Sequence, residues 1–155
     1  MLQIKLNFSN QRKTFYLQKS DCKMYRNLLS IIIGLFSAFL IVLLLESLLP
    51  LLFGIQSLKE AGDPKAIEQY LITLPLGLLI LLALTYGIAA FIGTYVSVLI
   101  SNTPKSGLST TAIFLIVVIV NFLSFHHPLW MVMLGSLGTL IGGFAGTKTR
   151  SKTIL

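Results

Sequence analysis

Glu46 is the one acidic residue inside an apolar stretch of this chain, set between Leu45 and Ser47 in the run that ends at Pro50. An ionisable group in such surroundings is a functional candidate by default, because hydrocarbon solvates a charge poorly. A carboxyl there could take up and release a proton and so serve proton-coupled movement of a solute. The structural alternative is equally concrete. Glu46 lies about one helical turn from Pro50, so its side chain could snorkel to an aqueous interface or bond to a neighbouring helix.

Asn121, Ser124, His126 and His127 stand at the end of another apolar run. If the chain folds back on itself, they share the level of Glu46 and could form a polar pocket with it. A Glu–His pair could relay protons or help hold a divalent ion, since carboxylate and imidazole both ligate zinc. Adjacent histidines do not readily aim at one ion, however, and no third and fourth ligand is in view. The simpler reading makes the histidines interfacial residues that close a loop, and no metal is assigned.

Other chemistry finds no footing. Gly135-Ser136-Leu137-Gly138 lacks the G-x-S-x-G spacing of a nucleophile elbow, and it sits in an apolar run rather than on a strand-to-helix turn. A glycine-rich phosphate loop with its lysine is missing. The single cysteine, Cys22, excludes an internal disulfide and a multi-cysteine metal site. The expectation is a protein without enzymatic activity and without a cofactor.

The elements that must position these residues follow from composition. Of 155 residues, 55% are hydrophobic and only 11% charged, where soluble proteins carry roughly a quarter charged residues. The mean hydropathy is +0.87. Too few charges are present to cover a water-facing surface, so the bilayer is the solvent that suits this chain. A net charge of +7 could suggest nucleic-acid binding. The basic residues sit at the ends of apolar segments instead, where they set orientation and attract anionic lipid headgroups.

The pattern predicts an all-α polytopic protein with four transmembrane helices in an antiparallel bundle. The spans fall at about 27–49, 73–100, 108–125 and 129–147, with an outer loop at 50–72 and a basic tail at each end, 1–26 and 148–155. The first span has some 23 residues, or about 35 Å of helix against a hydrocarbon core of about 30 Å. It is longer than a cleavable signal segment and is followed by no small-x-small site, so it reads as a retained span. In the N-terminal tail, Leu2, Ile4, Leu6 and Phe8 alternate with polar residues, which hints at a short strand and a hairpin through Ser9-Asn10. Met24 directly precedes the apolar run, and residues 1–23 could therefore be an upstream extension. Asp63-Pro64 reads as a helix N-cap with proline at the first helical position, opening a short amphipathic segment through Ile67, Tyr70 and Leu71. Residues 101–107 read as a turn, and Trp130 sits where an interfacial aromatic anchor is expected.

Orientation follows from lysines and arginines. Six lie in residues 1–26, one at Lys105 and three in the C-terminal tail, ten in all, against Lys59 and Lys65 in the outer loop. That asymmetry places both termini in the cytoplasm. Without residues 1–23 it is five against two, with the same sign.

Glycines supply the packing signal. Gly138, Gly142 and Gly146 recur every four residues, beside a second row of Gly135, Thr139 and Gly143. The second span has Ala89, Gly93 and Ser97, with Ala83 and Gly87 on the next stripe. Small residues four apart let another helix approach closely. Either spans two and four pack together within the chain, or one row forms a homodimer interface.

The Glu46-Ser47 end of span one, the Asp63-Pro64 loop leading into Pro75, the His127-Pro128-Leu129-Trp130 reversal and the glycine-rich last helix together resemble a group of small bacterial membrane proteins of uncharacterised activity. The resemblance spans residues 24–147 and leaves the basic tail outside. It implies four spans and a bacterial cytoplasmic (inner) membrane, and no activity. Two functions stay open. One is a non-enzymatic accessory subunit or homo-oligomer, working through helix packing with itself or a partner membrane protein. The other is a small transporter or channel component with Glu46 as its titrating group.

Overall fold

The structure, a computed structural model, describes residues 2–53, 74–124 and 128–151, with side chains described from Lys23 onward except at 50, 150 and 151. Four helices account for nearly all of it: α1 (Leu2–Leu52), α2 (Leu76–Ser101), α3 (Pro104–Ser124) and α4 (Leu129–Ser151). Each contains an apolar segment long enough to cross a bilayer, over Lys23–Leu49, Leu76–Ser101, Pro104–Ser124 and Leu129–Thr149. The outer-loop features at Asp63, Pro64, Ile67, Tyr70 and Leu71, the pair His126 and His127, and Lys152 lie outside the described residues.

Helix is what these sequences must form in hydrocarbon, where every backbone group has to be satisfied within its own segment. Hydroxyl side chains obey the same constraint. Ser37, Ser47, Thr85, Thr94, Thr111, Thr139 and Thr147 each donate to the carbonyl four residues earlier. Many small residues are buried beside larger ones such as Leu78, Phe114, Phe122 and Met131. Ala38, Ala83, Ala89, Ala90, Thr94, Ser97 and Thr139 are buried, while Leu43, Leu44, Ile88, Ile116 and Ile141 face outward. Small residues at the contacts and large aliphatics on the outward faces suit helices that pack with lipid as the solvent.

Helix α2 is the central element, in contact with α1, α3 and α4, while α3 also touches α1 and α4. The side-chain register gives an up-down-up-down order. Gly34 of α1 meets Gly93 and Ser97 of α2, whereas Glu46 meets Tyr86, so those helices run antiparallel. Gly135 of α4 meets Phe122 of α3 and Gly143 meets Thr111, again antiparallel.

Several boundaries move from where the sequence pattern puts them. The alternating residues 2–8 are helical, not a strand. An isolated strand has no ladder to join, whereas a helix already nucleated by the span adds one hydrogen bond per residue. Pro50 does not end α1, which continues to Leu52 and closes with Phe53 N–H donating to the Leu49 carbonyl at 3.2 Å. Pro75 lies outside α2 as its N-cap (φ −64°, ψ 141°), and the amides of Leu78 and Leu79 donate to its carbonyl. The 101–107 turn shrinks to Asn102-Thr103. Asn102 takes the left-handed conformation (φ 55°) that asparagine tolerates, and its N–H donates to the Val98 carbonyl at 2.9 Å. Pro104 then opens α3, four residues earlier than the apolar pattern suggests, because proline suits a first helical turn. Gly107, which looks like a turn residue, is therefore a packing residue. A Cβ there would sit 2.5 Å from Val98 and 2.7 Å from the Thr147 hydroxyl. At the other end, α4 runs four residues past the expected 147.

The glycine rows are filled within the chain. Gly138 and Gly142 of α4 lie against Gly87 of α2, and Gly146 lies against Thr94 and the Phe91 carbonyl. The Ala89-Gly93-Ser97 row does not face α4. Gly93 and Ser97 meet Gly34 of α1, whose row of Ser30, Gly34 and Ala38 the sequence reading overlooked. A helix surrounded by three others must divide its small residues among them.

Candidate functional site

Glu46 turns inward. Its Oε1 accepts a hydrogen bond from the Tyr86 hydroxyl of α2 at 2.8 Å, and that hydroxyl in turn accepts one from Nδ2 of Asn121 on α3 at 3.1 Å. One carboxyl, one phenol and one amide thus tie three helices together at a single level. With Glu46 ionised, the proton assignments follow. A phenol has one proton, so once it is donated to the carboxylate, the remaining contact must come from an N–H.

The local sequences that create this arrangement match each other. On α1 the pattern is Phe39-x-x-Val42-Leu43-x-x-Glu46, and on α3 it is Phe114-x-x-Val117-Val118-x-x-Asn121. Positions i, i+3, i+4 and i+7 share one face of a helix, so each helix presents two turns of apolar wall ending in a polar group. The two faces confront each other. Phe39 and Phe114 meet edge to face at 5.8 Å and 79°, with Glu46 and Asn121 at the opposite end of the same stripes. Between them lies a cavity of about 210 Å³, backed by Tyr86. The Tyr86 ring is only 4% exposed and is held in place by Phe122, with ring centroids 5.0 Å apart.

Of the residues singled out by type and spacing, Glu46 and Asn121 are brought together, although through Tyr86 and not directly. Ser124 is not part of the cluster; its hydroxyl donates to its own helix at the Val120 carbonyl, 2.8 Å away. His126 and His127 lie outside the described residues, so the Glu–His relay has no geometry here. Tyr86 was missed because a tyrosine in an apolar run looks like any interfacial aromatic. The paired eight-residue patterns were the available signal.

Pro50 adds a local feature. Lacking an amide proton, it cannot donate to the Glu46 carbonyl four residues back, so the backbone ladder is interrupted directly after the carboxyl-bearing residue.

Tyr86→Phe isolates the hydroxyl, since the ring and its contact with Phe122 are kept. It leaves Glu46 Oε1 and Asn121 Nδ2 without their shared partner. Inter-helix bonds in membranes average about 0.6 kcal/mol and reach about 1.7, so two of them predict a loss of about 1–3 kcal/mol. Unfolding of the purified protein by SDS in mixed micelles measures it. Glu46→Leu combined with Tyr86→Phe should recover part of the loss, because removing both partners leaves fewer orphaned groups.

Compared with protein-family models, with curated proteins and with solved structures, the chain finds no match.

Proposed function

We propose that this chain is a non-enzymatic component of a small membrane transport system, with Glu46 as the group that takes up and releases a proton. One observation carries the reading: the single acid within the spans lines a cavity between helices and is bonded to Tyr86 of α2. A carboxyl kept only for packing needs no empty volume beside it. Self-association through the glycine rows has less to draw on, because those rows already meet α1, α2 and α3 inside the chain.

The setting belongs to the same proposal. The protein resides in a bacterial cytoplasmic membrane with both termini inside, and the ten-to-two distribution of basic residues supports that orientation. Its basic ends associate with anionic lipid headgroups, and it binds no nucleic acid.

The test uses the full chain in proteoliposomes, with a potassium diffusion potential set by valinomycin and a pH-sensitive dye trapped inside. The wild type should acidify the lumen, and Glu46→Gln should fall to the level of empty liposomes while eluting as the same monodisperse species in detergent. Equal flux from both, or none from either, overturns the reading and leaves Glu46 as a packing group.

A further inference from the structure

We infer that the Glu46 pocket binds a small lipophilic organic cation, an ammonium group on an apolar body about the size of one ring. The inference rests on the pocket just proposed as the working site and names its ligand class.

Size sets the first bound. A void of about 150 Å³ suffices for benzene, and pockets for drug-sized ligands begin at about 300 Å³. A cavity of about 210 Å³ falls between them and admits one ring with a short substituent.

Polarity along the pocket sets the second. The Phe39–Phe114 end is apolar and the far end carries Glu46 and Asn121. A ligand filling it must be apolar over most of its length and polar at one end.

Hydrogen-bond inventory fixes the sign of that end. Tyr86 spends its only proton on Glu46 Oε1 and receives one from Asn121. Among the described residues, Glu46 Oε2 and Asn121 Oδ1 are left as acceptors without a protein partner, and no cationic side chain pairs with the carboxyl. An anionic ligand would meet a carboxylate. A neutral donor could bond to it but would leave its charge uncompensated, which is the costly condition in hydrocarbon. An ammonium group satisfies the acceptors and supplies the missing counter-charge.

Access is consistent with such a molecule. Phe39 and Leu43 line the pocket while remaining 41% and 61% exposed on the outward face of α1. The cavity is thus reached from the hydrocarbon side, where a lipophilic cation concentrates and a hydrophilic one does not.

Benzylammonium, whose three N–H groups can donate to the Glu46 and Asn121 acceptors, and its neutral isostere ethylbenzene have nearly the same shape and differ in charge. Calorimetric titration of the full chain in detergent should show saturable binding of the cation, one per chain, and no comparable binding of the isostere. Glu46→Gln should weaken the cation at least about tenfold, or 1.4 kcal/mol, and Glu46→Asp should keep part of the affinity. If Glu46→Gln elutes as aggregate, Val117→Phe decides instead, since it fills the pocket without touching the carboxyl and must abolish binding. Equal affinity for the isostere, no binding of the cation, or binding indifferent to these substitutions overturns the inference. Cation binding without proton flux would sink the transport reading alone, and flux without cation binding would sink this one alone.

Discussion

Gly142→Leu should produce a chain that still enters the membrane but fails to assemble its bundle. Insertion is favoured by leucine over glycine, so any failure belongs to packing. At Gly142 even a Cβ would overlap the carbonyl of Gly87. That obstacle is backbone, not the far end of a flexible side chain, so α2 and α4 must separate. Overpacking typically costs about 1–3 kcal/mol, occasionally more; with a backbone obstacle Gly142→Ala should lie at the upper end of that range and Gly142→Leu beyond it. SDS unfolding in mixed micelles, with protease accessibility of membrane vesicles, measures both. Two controls sharpen the prediction. A Cβ at Gly138, in the same row, would lie 3.7 Å from the Gly87 Cα, an ordinary contact, so Gly138→Ala should be nearly neutral. Gly77 has nothing within 4 Å of its Cβ position, and Gly77→Ala should be neutral or slightly stabilising.

That contrast within one glycine row measures how much the sequence could disclose. Spacing identifies Gly138, Gly142 and Gly146 as a face, but the tightness of each contact depends on the crossing geometry of two helices, which no local pattern encodes. The four spans were legible because hydrophobic length acts locally and the bilayer permits few alternatives to helix. Helix ends were less so. Pro50 and the 101–107 segment carry breaker residues, yet the helix passes through the first and reclaims most of the second, where the Ser106 hydroxyl donates to the Thr103 carbonyl. The site was half legible. Glu46 and Asn121 stand out as polar residues in apolar runs. Tyr86 does not, because its role depends on α2 lying between α1 and α3, and that is a tertiary fact. The row of Ser30, Gly34 and Ala38 was readable by the same small-residue rule as the others.

Gly34→Leu should cost both stability and the site, although Gly34 lies twelve residues from Glu46 in the sequence, or about 18 Å along the helix. A Cβ on Gly34 would sit 2.6 Å from the Gly93 carbonyl and 2.8 Å from the Ser97 Cβ; one on Gly93 would sit 2.7 Å from the Gly34 carbonyl. Thr110 of α3 closes the third side, 3.3 Å from the same Gly34 position. Leucine has no room in any direction, and α1 must lift away from α2. The span of α1 is the least buried of the four, and its contacts with α2 run along the same face that Gly34 holds close. The Glu46–Tyr86 bond joins the same two helices and would part with them. The result separates this account from simple local damage. In the wild type Tyr86→Phe should cost about 1–3 kcal/mol, whereas in the Gly34→Leu background it should cost about half as much, because the bond to Glu46 is already broken and only the one from Asn121 remains to be lost. A cycle of the two substitutions measured by SDS unfolding reads that coupling directly. Additive losses would mean that the outer ends of α1 and α2 are held together independently of the glycine contact. Leu40→Ala, on the exposed face of α1, should leave the coupling intact.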